Sequence, residues 1–136
     1  MAYSQDLVKA ARRHFDAAEQ LNEERQRPRR QDVAGYLYGI AGECALKEIM
    51  RDSGMRPSGT HGDDPFYAHF PVLKTLLRDT LRGRRAGELR AFAEDDGLMN
   101  GWDVAMRYAP PQDIAPRLVD LWREQAQRLV HAMETT

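Results

Sequence analysis

Apolar residues recur at spacings of three and four along most of this chain. In SQDLVKAARRHFDAAEQLNEERQ they fall at Leu7, Ala11, Phe15, Ala18 and Leu21, one stripe of an α-helix. Ser4 stands where an N-cap belongs, and Pro28 closes the pattern. The spacing predicts about 23 helical residues, roughly 34 Å of helix. A second helix is expected from near Asp32 to Gly54, with Val33, Leu37, Ile40, Cys44, Ile49 and Met50 on one face and Gly54 as its C-terminal stop. Tyr36, Tyr38 and Leu46 fall off that face. A helix apolar over more than half its circumference belongs at the centre of a bundle or at a subunit interface.

MRPSGTHGDDPFYAH reads as a loop. A third helix follows from about Phe70, with Pro71 in its first turn and Leu73, Leu76, Leu77 and Leu81 inward. RGRR makes a turn, and AGELRAFAEDD a short fourth helix. The last helix is expected from near Asp113, carrying Ile114, Leu118, Leu121, Trp122, Leu129 and Met133 on one side. No window alternates as a strand does. The pattern predicts an all-α, up-and-down bundle of four to five helices, forming one domain over residues 1–136.

Two stretches break the rhythm. Gly35, Gly39 and Gly42 each cost about 1 kcal/mol of helix propensity relative to Ala. Three within eight residues point to close approach by another helix, and with Tyr36 to a contact face for a second chain; three tolerated glycines are the other reading. GWDVAMRYAPPQDI interrupts the charged helices with Trp102, Arg107, Tyr108 and two prolines. Trp102 is expected as a core anchor, because large aromatics seat irregular segments. Arg107 and Tyr108 would then fix the start of the last helix, with Arg107 paired to Glu43 or another carboxylate. A ligand or RNA contact is the competing reading.

Charge and composition narrow the chemistry. The net charge of −1 comes from 20 basic and 21 acidic side chains, which gives no overall attraction to nucleic acid or to an anionic membrane. One cysteine, Cys44, excludes an internal disulfide. No signal-like apolar run opens the chain and none spans about 20 residues, so a cytoplasmic location without membrane contact is expected. His14, His61, His69 and His131 form no helical ligand pair, and no HExxH is present. His61, Asp63, Asp64 and His69 share a loop that could hold a divalent metal, although a capped polar loop explains them too; no metal and no cofactor is expected. Arg56 stands five residues before His61, a phosphate binder and a proton carrier suited to RNA cleavage. Arg25, Arg27, Arg29 and Arg30, with Arg82, Arg84 and Arg85, make two basic clusters at helix ends. They read either as dipole-favoured surface cations or as a phosphate-binding edge.

The order of the pieces AARRHFDAAEQL, YLYGIAGECALKEIM, HFPVLKTLL and RYAPP, ahead of a final amphipathic helix, resembles the HEPN superfamily. These are small helical domains of prokaryotic defence, toxin–antitoxin and nucleotidyltransferase-linked operons. The resemblance covers about residues 4 to 134, through loose motifs of which AGECALKEIM is the most family-like. It implies a four- or five-helix bundle that dimerises. Active members are metal-independent ribonucleases carrying Arg, four to six residues, then His near the start of the last helix. Arg107 matches the Arg, but the His positions hold Gln112, Asp113 and Ile114. The resemblance therefore implies a non-nucleolytic binding or assembly component, as a homodimer or part of a larger complex, with an RNA or nucleotide contact. Two alternatives stand beside it. One is an endoribonuclease using Arg56 and His61, or an Arg/His pair assembled across a dimer. The other is a structural helical adaptor.

Overall fold

Asp6, rather than Ser4, starts the first helix: its carboxylate accepts the Lys9 N–H at 3.0 Å and satisfies one first-turn donor. The computed structural model describes residues 4–58, 61–81 and 87–135, the His61 side chain excepted. Helix α1 runs Leu7–Asn22, shorter than the stripe predicted. The Arg29 guanidinium donates to the Asn22 carbonyl at 2.9 Å, closing the helix end well before Pro28. Ala11 and Ala18 are buried, with Phe15 and Leu21 packed beside them.

Helix α2 spans Gln31–Asp52, close to its expected bounds, and Gly54 follows at φ +100° as the left-handed stop. It packs against both α1 and helix α5 (Pro116–Thr135), which makes it the central helix. Its burial follows the expected face at Ile49 and Met50 but not before them. Ala34, Tyr38, Ala41, Ala45 and Leu46 are fully buried, whereas Leu37, Ile40 and Cys44 are half-buried and Val33 is exposed. Small side chains let neighbouring helices come closest, so the alanine and glycine side of α2, not its bulkiest side, faces the core.

Helix α3 (Val72–Thr80) buries Leu73 and Leu77, followed by Leu81; Leu76 is half-buried. Lys74 lies buried among them, and its ammonium donates to the Asp95 and Asp96 carbonyls at 3.1 and 3.2 Å. Those carbonyls follow the end of helix α4 (Gly87–Glu94), so the lysine ties the α3–α4 hairpin shut. Helix α5 begins at Pro116, because Pro111–Asp113 forms its own 3-10 turn. Asp113 therefore does not open the last helix. Val119, Trp122, Ala126, Leu129 and Met133 face inward, whereas Leu121 is 39% exposed; it sits about 100° around the helix from Trp122.

The fold is all-α, five α-helices in an up-and-down bundle, with no strand among the described residues. Among the described residues, no helix is long and apolar enough to cross a membrane.

Candidate functional site

Trp102 organises the break between α4 and α5. Its ring lies in a notch over Gly39, so close that a Cβ there would stand 2.0 Å from the indole Cε2 and Nε1. The indole N–H is shared between the Gly35 and Tyr36 carbonyls of α2, each at 3.2 Å. Tyr36 stacks on it (centroids 5.8 Å apart, 15° between planes) and Phe70 meets it edge-on at 6.3 Å. Gly35 faces Trp122 and Val119, and Gly42 faces Met99 and Leu129. The three glycines thus admit large side chains of their own chain. Gly35 and Gly42 meet the close approach of another helix, α5, that their spacing predicts, whereas Gly39 receives Trp102 from the irregular segment before α5.

The main chain around Trp102 is held from α5. The Gln125 amide accepts from Met99 N–H at 2.7 Å and donates to the Gly97 carbonyl at 2.8 Å. The Trp122 indole donates to the Asn100 carbonyl at 3.0 Å. An irregular segment of this kind is rigid only when its polar groups are satisfied, and here α5 supplies the partners.

Beyond Trp102 the chain reaches the surface. Asp103 caps a 3-10 turn over Val104–Tyr108 by accepting the Ala105 N–H at 2.8 Å. Arg107 is exposed, interacts with the Tyr36 hydroxyl, and places its Cζ 5.1 Å from the Tyr108 ring centroid. Tyr108 is 79% exposed. Trp102 is buried, whereas Tyr108 is a surface side chain. Together with α2, this turn lines a cavity of about 180 Å³ formed by Asp32, Val33, Tyr36, Met106, Arg107 and Ala109.

Glu43 is not the partner of Arg107. Its buried carboxylate accepts from Phe70 N–H at 2.8 Å and pairs with the His69 Nδ1 at 2.8 Å. This contact joins AGECALKEIM to HFPVLKTLL, two of the stretches that carry the family resemblance. Burial pushes the Glu43 carboxyl above the usual range, and the His69 imidazole and Lys47 offset only part of that rise. The same burial lowers Lys47 and raises the Cys44 thiol, leaving Cys44 a poor thiolate.

The remaining candidates separate. Asp64 accepts from Ser58 N–H at 2.6 Å, Ser58 Oγ at 3.2 Å and Phe66 N–H at 3.0 Å, so its carboxylate serves the loop. His69 turns Nδ1 to Glu43, and no group of three or more metal-binding side chains forms among the described residues. Arg56 donates to the Arg51 and Met55 carbonyls at 2.9 and 2.7 Å, closing the end of α2; the His61 side chain lies outside the described residues. Arg27 donates to the Glu24 and Gln26 carbonyls and Arg29 to Asn22, while Arg25 and Arg30 are exposed. Arg82, Arg84 and Arg85 lie outside the described residues. Gln112 and Asp113 are exposed in the 3-10 turn after Tyr108.

The fold and its surface define a small all-α helical bundle, compatible with a protein-interaction or adaptor role. Comparison with known proteins finds no matching family model, no matching curated relative and no matching solved structure.

Proposed function

We propose that the chain is a single HEPN-like domain, a cytoplasmic binding and assembly component of a bacterial defence-type or toxin–antitoxin system that works without RNA cleavage of its own. The observation that carries the binding role is the exposed Arg107–Tyr108 step, seated on the buried Trp102 through Tyr36. Tyr, Arg and Met are the side chains enriched at protein interfaces and their energetic centres. Here Tyr36, Met106 and Arg107 line one small cavity, with Val33 beside them at 41% exposure.

A second copy is the partner this face fits. Its lining carries one carboxylate, Asp32, and one guanidinium, Arg107. In a two-fold contact the same patch meets itself, so Asp32 of each copy would face Arg107 of the other. The absence of RNA cleavage rests on the side chains after Arg107: Gln112 and Asp113 stand where the proton-transferring imidazole would be needed, and both are exposed.

Light scattering at tens of micromolar should give a dimer mass, and Tyr108→Ala should move the population toward monomer at unchanged helical content. A wild-type monomer at that concentration would remove the pairing from this reading. The operon is the second test: a neighbouring gene for a nucleotidyltransferase, nuclease or helicase is expected, and neighbours of unrelated metabolism would count against the defence role.

A further inference from the structure

His69, paired to the buried Glu43, lines a second cavity that the assembly role leaves unused. It encloses about 340 Å³ and is lined by Tyr67, His69, Val72, Leu76, Asp103 and Val104, among others. His69 opens α3: its carbonyl accepts the Leu73 N–H at 2.8 Å. Its side chain is 48% exposed while Glu43 beneath it is only 4% exposed. The carboxylate is pinned by the Phe70 N–H and cannot swing away. Nδ1 therefore faces the protein interior, which leaves Nε2, on the far side of the ring, as the nitrogen open to a ligand.

We propose that His69 is a catalytic nucleophile toward small, neutral, apolar acyl esters, with Glu43 as its positioning residue. A carboxylate that holds Nδ1–H fixes the imidazole tautomer, so that Nε2 carries the lone pair. The class of substrate follows from the lining. Tyr67, Val72, Leu76 and Val104 offer apolar surface, Asp103 adds a carboxylate, and no Lys or Arg lines the cavity among the described residues. Phosphate esters and other anions meet only like charge there, whereas an uncharged acyl group of a few carbons does not.

The steps balance without a cofactor. Nε2 attacks the carbonyl carbon, the bond from that carbon to the leaving oxygen breaks, and the alkoxide or phenolate departs with its electron pair. The Nδ1 proton passes to Glu43, leaving a neutral acylimidazole. Water then adds to the acyl carbon and the carbon–Nε2 bond breaks. Nδ1 recovers its proton from Glu43 as the carboxylic acid leaves with the hydroxyl of the water, and the water's other proton passes to solvent, where it balances the charge of the departed alkoxide or phenolate. Burial, which raises the Glu43 carboxyl, brings it closer to the imidazole in basicity and eases that transfer.

The test is p-nitrophenyl acetate hydrolysis by the full chain, followed by p-nitrophenolate release from pH 5 to 9, beside equimolar 4-methylimidazole. The protein should exceed the free imidazole at least about tenfold, a small part of what positioned acid–base groups supply. The rate should rise with pH across this range. His69→Gln should return the rate to background. Glu43→Gln should lower it several-fold and move the pH midpoint, with the far-ultraviolet spectrum unchanged in both. Mass spectrometry of acid-quenched samples should find the transient acetyl group on the peptide containing His69. Hydrolysis no faster than free imidazole overturns the proposal. So does a rate that survives His69→Gln, since His14, His61 or His131 would then be responsible. If either variant unfolds, carbethoxylation of native protein decides: His69 should react faster than His14, His61 and His131, and equal or slower reaction refutes the assignment.

Discussion

Replacing Gly39 with Ala tests the packing on which the surface around Arg107 depends. A normal carbon–carbon contact is about 3.5–4.0 Å, whereas the new Cβ would begin 2.0 Å from the indole of Trp102. The ring must retreat by about 1.5 Å, and it has no room to do so, being 1% exposed. Displacement strains the shared hydrogen bond to the Gly35 and Tyr36 carbonyls, worth about 1 kcal/mol, and overpacking adds about 1–3 kcal/mol. Against this, Ala gains about 1 kcal/mol of helix propensity. The net expectation is a loss of about 1–3 kcal/mol in urea-induced unfolding. Trp102→Ala alone should cost about 3–5 kcal/mol, the usual range for a buried aromatic. Combined, the two should cost less than their sum, because a small residue at 102 relieves the clash at 39. A Gly39→Ala protein as stable as wild type, or strict additivity in the pair, would refute the notch.

Further outcomes test other parts of the molecule. Glu19 accepts from the Tyr38 hydroxyl at 2.7 Å and pairs with Arg123 across the α1–α5 contact. Burial alone would raise this carboxyl, but the Arg123 guanidinium and the Tyr38 hydroxyl outweigh it and hold it below the ordinary value of 4.5. A depressed carboxylate stabilises the fold above its unfolded pKa and loses that contribution as pH falls through the folded one. Arg123→Gln should thus cost about 1 kcal/mol at pH 7 after solvent screening, and the gap to wild type should close as pH drops below 4.5; a gap constant with pH would contradict the pairing. Tyr108→Ala should leave the melting temperature within a degree or two, since a side chain 79% exposed contributes little to the core, and a large drop would make it a structural anchor after all. Incubation with structured and single-stranded RNA, with or without EDTA, should give no cleavage; cleavage lost in Arg107→Ala would indicate a composite site across two copies, and cleavage lost in both Arg56→Ala and His61→Ala would reinstate that pair.

The helical periods were readable in the chain because they depend on neighbours three and four residues away. The all-α class and the bounds of α2 follow from that local information. What filled the glycine notches was not local. Gly39 and Trp102 are far apart in sequence, and no period connects them. Propensity points to another helix at the three glycines, and α5 supplies it at Gly35 and Gly42, but the occupant of Gly39 is a ring from an irregular segment. Glu43 shows the same limit: a carboxylate on a buried helix face must find donors, but the sequence offers Arg107 and His69 alike. Only the approach of residues 69–70 to α2 selects the imidazole. Tyr36 and Tyr108 were both visible as aromatics outside the stripes; their meeting at one surface, with Arg107 between them, required the turn after Trp102.

The stacked pair of Tyr36 and Trp102 also makes the molecule its own optical reporter. Both tryptophans are 1% exposed, and each gives its indole N–H to main-chain carbonyls, so emission should be blue-shifted and sensitive to small movements of those carbonyls. Trp122 reports on the body of α5. Trp102, by contrast, is one ring away from the exposed Arg107–Tyr108 step, through a tyrosine parallel to it at 5.8 Å. Contact at that step would press on Tyr36 and pass directly into the buried indole. Association, invisible to a helical spectrum, would then register as a change in Trp102 fluorescence without any added label.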